Sequence, residues 1–375
     1  MASNRLTNVN VFLQDDKFHK ANLVIEDGIF TEVSAYGYAM HTGRPQEYLI
    51  PGLVDIHMHG ADGADLGDGT DDSLHKIAAY EARCGITSFC PTTMTVNKDQ
   101  ILQSMTTAGN FVRDKKDARV LGVTMEGPFV SPEKRGAQAA KNMMLPDGAF
   151  FDQCQDAAKG KIRQVVLAPE LEGALDFIKA YHDKVIISLG HTAADYDTCC
   201  KALDNGANHV THLFNAMSPF HHRDPGLVGA ARDFDAYVEV ICDGIHIHQS
   251  MIRAITDLFP LDRISLISDS MEATGLADGR YALGGQPVNV NGPLATLDDG
   301  TIAGSVTNLF QCMRRAMDYG FPMQDAIRCA SLIPARSLHL DDKIGSIAEG
   351  KCADFVCVDD EFNIKYVVIN GQKVQ

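Results

Sequence analysis

Between residues 51 and 268 the sequence returns eight times to a short apolar run, over 51–57, 86–92, 120–125, 164–168, 185–189, 208–212, 237–242 and 264–268. Amphipathic stretches separate most of these runs: 72–84, 98–112, 171–181, 196–203 and 248–258. Runs of strand length alternating with segments of helical period specify βα units. Eight such units in roughly 250 residues form the pattern of an α/β fold, the (β/α)8 TIM-like barrel. Both ends of the chain read differently. Residues 8–12 and 22–26 are β-rich, with an Asp27-Gly28 turn after the second, and so are 354–358 and 366–369, with Asn370-Gly371 following. A small β-sandwich domain built from both termini, 1–50 with 340–375, is therefore expected beside a barrel of 51–339. The polar stretches 127–147 and 270–303 are long for βα loops, which marks them as covers for a site.

Composition narrows the partners. The net charge of −16 argues against nucleic acid and against an acidic membrane surface, and no run of about eighteen apolar residues offers a membrane span. A small anionic substrate is still compatible, because a few local cations reverse the potential inside a cleft. The N-terminal segment lacks a signal-peptide apolar core, so the cytoplasm is the expected compartment. The ten cysteines include no Cys-x-x-Cys pair, and most sit inside apolar patterns, which reads as reduced thiols.

The chemistry lies at strand ends. Pro51-Gly52-Leu53-Val54-Asp55-Ile56-His57-Met58-His59-Gly60 closes the first run, and alternation puts His57 and His59 on one face. Glu126 ends the third run, His191 follows the fifth, His212 ends the sixth and Asp269 follows the eighth. A barrel converges these ends on one cavity at its carboxyl face. Imidazoles and carboxylates arising at five strand ends point to a metal site. Other histidines lack this placement. His19, His41, His75, His182 and His339 read as solvent-facing, and His209, three residues before His212, reads as packing against helices.

Taken in order, His57-Met58-His59, Glu126-Gly127-Pro128-Phe129, Gly190-His191-Thr192, His212-Leu213-Phe214-Asn215-Ala216-Met217, Asp243-Gly244-Ile245-His246 and Ser268-Asp269 resemble the N-acetylglucosamine-6-phosphate deacetylases, a group of metal-dependent amidohydrolases. The closing segment around Lys343–Ile347 and Glu349–Phe355 is similar too, so the resemblance spans essentially the whole chain. It implies hydrolysis of N-acetyl-D-glucosamine 6-phosphate to D-glucosamine 6-phosphate and acetate. Glu126, His191 and His212 match the main metal ligands. His57 and His59 match a second metal position that only some members keep, so of the one or two divalent ions per subunit that the family holds, their presence favours two, bridged by Glu126, with zinc, iron(II) and manganese all open.

Asp269 matches the catalytic aspartate and a metal contact. The physical case stands beside the resemblance: a divalent ion brings bound water to a pKa of roughly 7. A neighbouring carboxylate can then take the water's proton and deliver it to the departing amine, as general base and acid. The resemblance also implies substrate contacts at Ala137, Gln138, Asn215, Ala216, His246 and Ile302-Ala303-Gly304. Gln138 departs from relatives that carry histidine there. Asp224 and Pro225 read as the N-cap and first position of a helix, which would set Arg223 beside a positive helix end suited to an anion. In the family this arginine reaches the substrate phosphate of the neighbouring subunit, which implies a homodimer. Two alternatives compete. Another amidohydrolase, acting on N-acyl amino acids or cyclic amides, often bridges its metals with a modified lysine on the fourth strand, but 164–168 has none. A non-catalytic scaffold predicts loss of a ligand or of the aspartate, and all are present.

Overall fold

In the computed structural model, residues 4–39 and 46–374 are described; His41 lies outside them. Eight parallel strands make the barrel: Leu53–Met58, Ile86–Pro91, Val123–Glu126, Ile162–Leu167, Ile186–Leu189, His209–Val210, Tyr237–Ile241 and Ile264–Ile267. Strands three to eight form one continuous ladder, and strands one and two another. A bridge between Thr92 and Thr124 joins the two ladders. On the other side, the amide of Asp269 donates to the His57 carbonyl at 3.0 Å and closes the ring at the level of the site.

Every strand predicted from the sequence is present, but several are shorter. Arg119–Val120 pairs with the second strand on its own, and the third begins only at Val123, after Leu121-Gly122. The sixth shrinks to two residues because His212 turns out of the ladder with a positive φ of 29°. Pro51, read as the start of the first barrel strand, instead ends Tyr48–Pro51, which belongs to the terminal sheet. The chain passes between the two at Gly52, where a Cβ would lie 2.2 Å from the Thr87 hydroxyl oxygen; only glycine permits that approach.

Strands from both termini interleave in one seven-stranded sheet. Tyr48–Pro51 runs parallel to Asn4–Phe12 and antiparallel to Phe355–Val358. Its core is separate from that of the barrel, with Leu23, Ile25, Phe30, Leu49 and Phe355 buried together. The two expected turns have positive φ at both central residues, 50° and 81° at Asp27-Gly28 and 48° and 70° at Asn370-Gly371, as tight hairpin turns require. The molecule is a TIM-like barrel with a small β-sandwich domain built from both ends of the chain.

Helices cover the barrel. Asp71–Arg83 starts at Thr70, whose hydroxyl accepts from the Ser73 amide, and buries Leu74, Ile77, Ala78 and Ala82. Lys98–Asn110 starts the same way at Asn97. Some elements escaped the sequence reading, among them the helices Leu309–Tyr319, Met323–Cys329 and Leu332–Ser337 after the second long cover. A helix, Gly148–Ala157, follows the first long cover, and the second cover holds a three-stranded antiparallel sheet, Gly279–Leu283, Gln286–Asn291 and Leu294–Thr296. Asp224 does not cap a helix: Gly226–Asp233 begins after Pro225, which occupies the cap position with no side-chain bond. All ten cysteines are free thiols.

Candidate metal centre and cavity

The strand ends deliver their side chains by an abrupt change of backbone direction. His191, His212 and Asp269 all have positive φ, 47°, 29° and 50°. Non-glycine residues enter this region at a cost of about 1–3 kcal/mol, and they gather where a site overrides the preference. The outcome is two buried clusters in contact, His57, His59 and Asp269 in one and Glu126, His191 and His212 in the other.

Glu126 stands between them. Its Oε1 lies 3.2 Å from His191 Nε2, 3.1 Å from His212 Nε2 and 3.5 Å from His57 Nε2. Its Oε2 lies 3.5 Å from His59 Nε2. Asp269 Oδ1 lies 3.2 Å from His59 Nε2 and 3.7 Å from His57 Nε2. The far side of three rings is tied to acceptors. His57 Nδ1 donates to Glu239 Oε2 at 3.0 Å, His59 Nδ1 to the Thr92 carbonyl at 3.2 Å and His191 Nδ1 to the Lys134 carbonyl at 3.0 Å. Glu239 is itself held by Gln164 Nε2 at 2.6 Å.

These outer bonds fix the tautomers. With the proton on Nδ1, each Nε2 presents a lone pair to the carboxylates and to its neighbours. His57 Nε2, facing Glu126 and Asp269, has no hydrogen-bond partner among the described residues, while His212, whose Nδ1 has no outer acceptor among them, sets its Nε2 3.1 Å from His191 Nε2. Lone pairs and carboxylate oxygens facing one another repel unless a cation lies among them. The donor set of imidazole nitrogen and carboxylate oxygen, without thiolate, fits a divalent metal. Burial favours the neutral form of Glu126, but positive charge at His191 and His57 outweighs it and holds the carboxyl well below its usual range, an attraction that a cation among the rings would exert in their place when they are neutral. Burial acts likewise on Asp269, and His59 overrides it. Both carboxyls are therefore anionic and face a space that a cation could fill.

A cavity of about 240 Å³ opens onto Glu126, His59 and Asp269. Ala137, Gln138, Asn215, Ala216 and His246 line it, as do Ile302 and Gly304. The sequence reading missed Met94, Gly136, Leu283 and Thr301, which also face it. Ala303 is buried behind the wall, its amide bonded to the Ala295 carbonyl. His246 is aimed by Asp243, whose Oδ2 accepts from Nδ1 at 2.7 Å while Oδ1 accepts from the amides of Ile245 and His246. Burial lowers the His246 pKa, and the Asp243 bond more than reverses this, so the ring protonates more readily than usual.

Arg223 is not in this wall. It lies on an exposed loop with Nη1 2.8 Å from His222 Nε2, and among the described residues no lysine or arginine lines the cavity. His209 is buried, stacked on Tyr237. His182 and His339 are exposed, whereas His19 and His75 are half-buried beside aspartates rather than free in solvent.

A TIM-like barrel with imidazoles and carboxylates gathered at its strand ends defines a metal-dependent amidohydrolase. The chain belongs to this family: the Amidohydrolase family model matches residues 48–374. Within it, the chain is a member of the N-acetylglucosamine-6-phosphate deacetylase group. It is 35% identical to the N-acetylglucosamine-6-phosphate deacetylase of Bacillus subtilis, over 98% of this chain and 96% of that one. It is 36% identical to an N-acetylgalactosamine-6-phosphate deacetylase of Escherichia coli O157:H7, over 93% of each. The solved N-acetyl-D-glucosamine-6-phosphate deacetylase of Mycobacterium smegmatis, an aspartate-to-alanine variant in complex with N-acetyl-D-glucosamine-6-phosphate, superposes with a TM-score of 0.92 at 32% identity, covering both chains fully.

Proposed function

We propose that this chain hydrolyses the acetamide of N-acetyl-D-glucosamine 6-phosphate, giving D-glucosamine 6-phosphate and acetate. The observation that carries the reading is the pair of ligand clusters that meet at Glu126 on the wall of a sugar-sized cavity. His57, His59 and Asp269 would hold one ion, and Glu126, His191 and His212 the other. A divalent ion there supplies Lewis acidity and an acidified water. Asp269 takes a proton from the attacking water and passes it to the sugar nitrogen as the C–N bond breaks. His246, with Asp243 on Nδ1, offers its other ring nitrogen to the acetamide oxygen. Ala137, Gln138, Asn215, Ala216, Ile302 and Gly304 shape the sugar site, and Ala303 supports it from behind.

Further assignments complete the reading. Residues 1–50 with 340–375 act as the small β domain and 51–339 as the catalytic one. The enzyme works in the cytoplasm as a homodimer, with Arg223 of each chain serving the partner's cavity. No helix among the described residues is long and apolar enough to cross a membrane.

The 36% identity to a galactosamine enzyme favours a second sugar at the same site, the C4 epimer. An acetate-release assay tests both, on the two 6-phosphates and on plain N-acetylglucosamine. The expected result is highest kcat/KM on the glucosamine 6-phosphate, loss of activity with a chelator and recovery with zinc, iron(II) or manganese. Higher kcat/KM on the galactosamine 6-phosphate would move the assignment to that epimer, and no acetate from any of the three would remove the proposal.

A further inference from the structure

Gln138 has a second role open to it beyond lining the cavity. Its side chain is almost fully buried and is bonded at both ends. Oε1 accepts from the Thr95 amide at 2.7 Å, and Nε2 donates to Glu126 Oε2 at 2.6 Å. The Thr95 bond fixes which end of the carboxamide faces Glu126. Reversing it would set oxygen against carboxylate and amide nitrogen against a backbone N–H, so only one orientation is stable. The loop carrying Gln138 is held from above as well, since Gln286 of the antiparallel sheet donates to the Ala137 carbonyl.

The two oxygens of Glu126 consequently have unequal surroundings. Oε1 faces His191, His212 and His57. Oε2 faces His59 and is also the acceptor for Gln138. A carboxylate oxygen that already accepts a short hydrogen bond has a lone pair committed and less charge to give, while its plane is held against rotation. We propose that Gln138 is a positioning residue that fixes the rotation of the Glu126 carboxylate and thereby sets the difference in affinity between the two metal-holding clusters. The cluster of His191 and His212 receives the uncommitted oxygen and binds the tighter ion. The cluster of His57, His59 and Asp269 meets the oxygen that Gln138 orients at His59. A neutral carboxamide does this at any pH, which an imidazole at the same position would not.

This inference rests on the reading that both clusters hold metal, and one experiment separates the two. Zinc titration of the metal-stripped full chain, by calorimetry with elemental analysis, gives stoichiometry and two affinities. Gln138→Met keeps the volume and removes both bonds; Gln138→Ala serves as a smaller variant in case Met does not pack. Only monomer or oligomer recovered at the wild-type elution volume is titrated, so misfolded protein does not enter the comparison. Wild type is expected to take two ions. In the variants the weaker ion should loosen by about tenfold or more, the usual cost of removing a residue that orients a ligand, while the tighter one changes by no more than about threefold. Two ions in wild type with both affinities unchanged in the variants would overturn the role of Gln138 alone. Equal loosening of both ions would overturn it too, since that is what a general loss of packing predicts. A wild type that stops at one ion would overturn the two-metal reading instead.

Discussion

Asp269 combines a strained backbone with a deprotonated side chain, and both follow from its position. Its amide closes the barrel on His57 and its carbonyl accepts from Ser305, so the peptide is fixed on both sides while the carboxylate turns to His59. Asparagine tolerates the same left-handed conformation and has nearly the same shape. Asp269→Asn should therefore fold and still line the cavity, but its amide cannot carry a proton from water to nitrogen. Turnover should fall by about 10²-fold or more at saturating substrate. Near-wild-type turnover would take Asp269 out of the mechanism. This residue was legible in the sequence because a strand end is a place, and an acid there is marked by the apolar run before it. Glu239 carries a similar mark as the lone acid within Tyr237–Ile241, yet its part in holding His57 shows only once the barrel closes. The carbonyls of Thr92 and Lys134 and the amide of Thr95 leave no trace in a sequence, since every residue has them.

At the scale of elements the helix Asp71–Arg83 carries an unusual burden. Glu81 is fully buried and neither carboxylate oxygen has a hydrogen-bond partner among the described residues. Burial, and then the nearby Asp55, push its pKa well above the usual carboxyl value; Tyr80 and Cys84 are the other titratable groups beside it. The sign follows from linkage. A carboxyl whose folded pKa is raised binds its proton more tightly when folded, so stability is greatest below its unfolded value near 4.5 and declines as pH rises through the folded one. Glu81→Gln keeps the shape without the titration. Its thermal midpoint should exceed that of wild type at pH 8, with the gap closing towards pH 4.5. A gap that is constant across this range would mean that Glu81 does not titrate in it. Periodicity revealed this helix but not the acid on its buried face, because a single glutamate hardly disturbs a pattern of Leu74, Ile77, Ala78 and Ala82. The sheet within 279–296 was missed for a related reason. Only one face of it is covered, by Leu283, Val288 and Val290, and such short alternation is easily read as a polar loop when the barrel's own strands set the standard.

For the whole molecule the decisive feature is a cavity without a cation among the described residues that line it. The proposed substrate is a dianion, the chain carries a net charge of −16, and among the described residues no lysine or arginine lines the cavity. Arg223, meanwhile, lies on an exposed loop beside a histidine, with no ion pair among the described residues. In the proposed homodimer, a twofold axis would bring each exposed Arg223 to a cavity that lacks a cation of its own. Paired, charge-assisted bonds from a guanidinium to phosphate are strong, and removing one partner of such a pair costs several kcal/mol. Arg223→Ala should thus lower kcat/KM for the phosphorylated sugar by about 10²-fold or more, and change activity on plain N-acetylglucosamine little, because that sugar offers nothing for the arginine to hold. Mixed dimers make the test independent of substrate. Arg223→Ala and Asp269→Asn chains are each defective at both sites of their own dimers, but a hybrid contains one site with an intact Asp269 and a partner's intact Arg223. Co-refolding or subunit exchange should restore part of the activity if the arginine acts across the interface. If it acts within its own chain, each hybrid site keeps one defect and no activity returns. Equal losses on both sugars would instead give Arg223 a structural role and leave the phosphate without its partner.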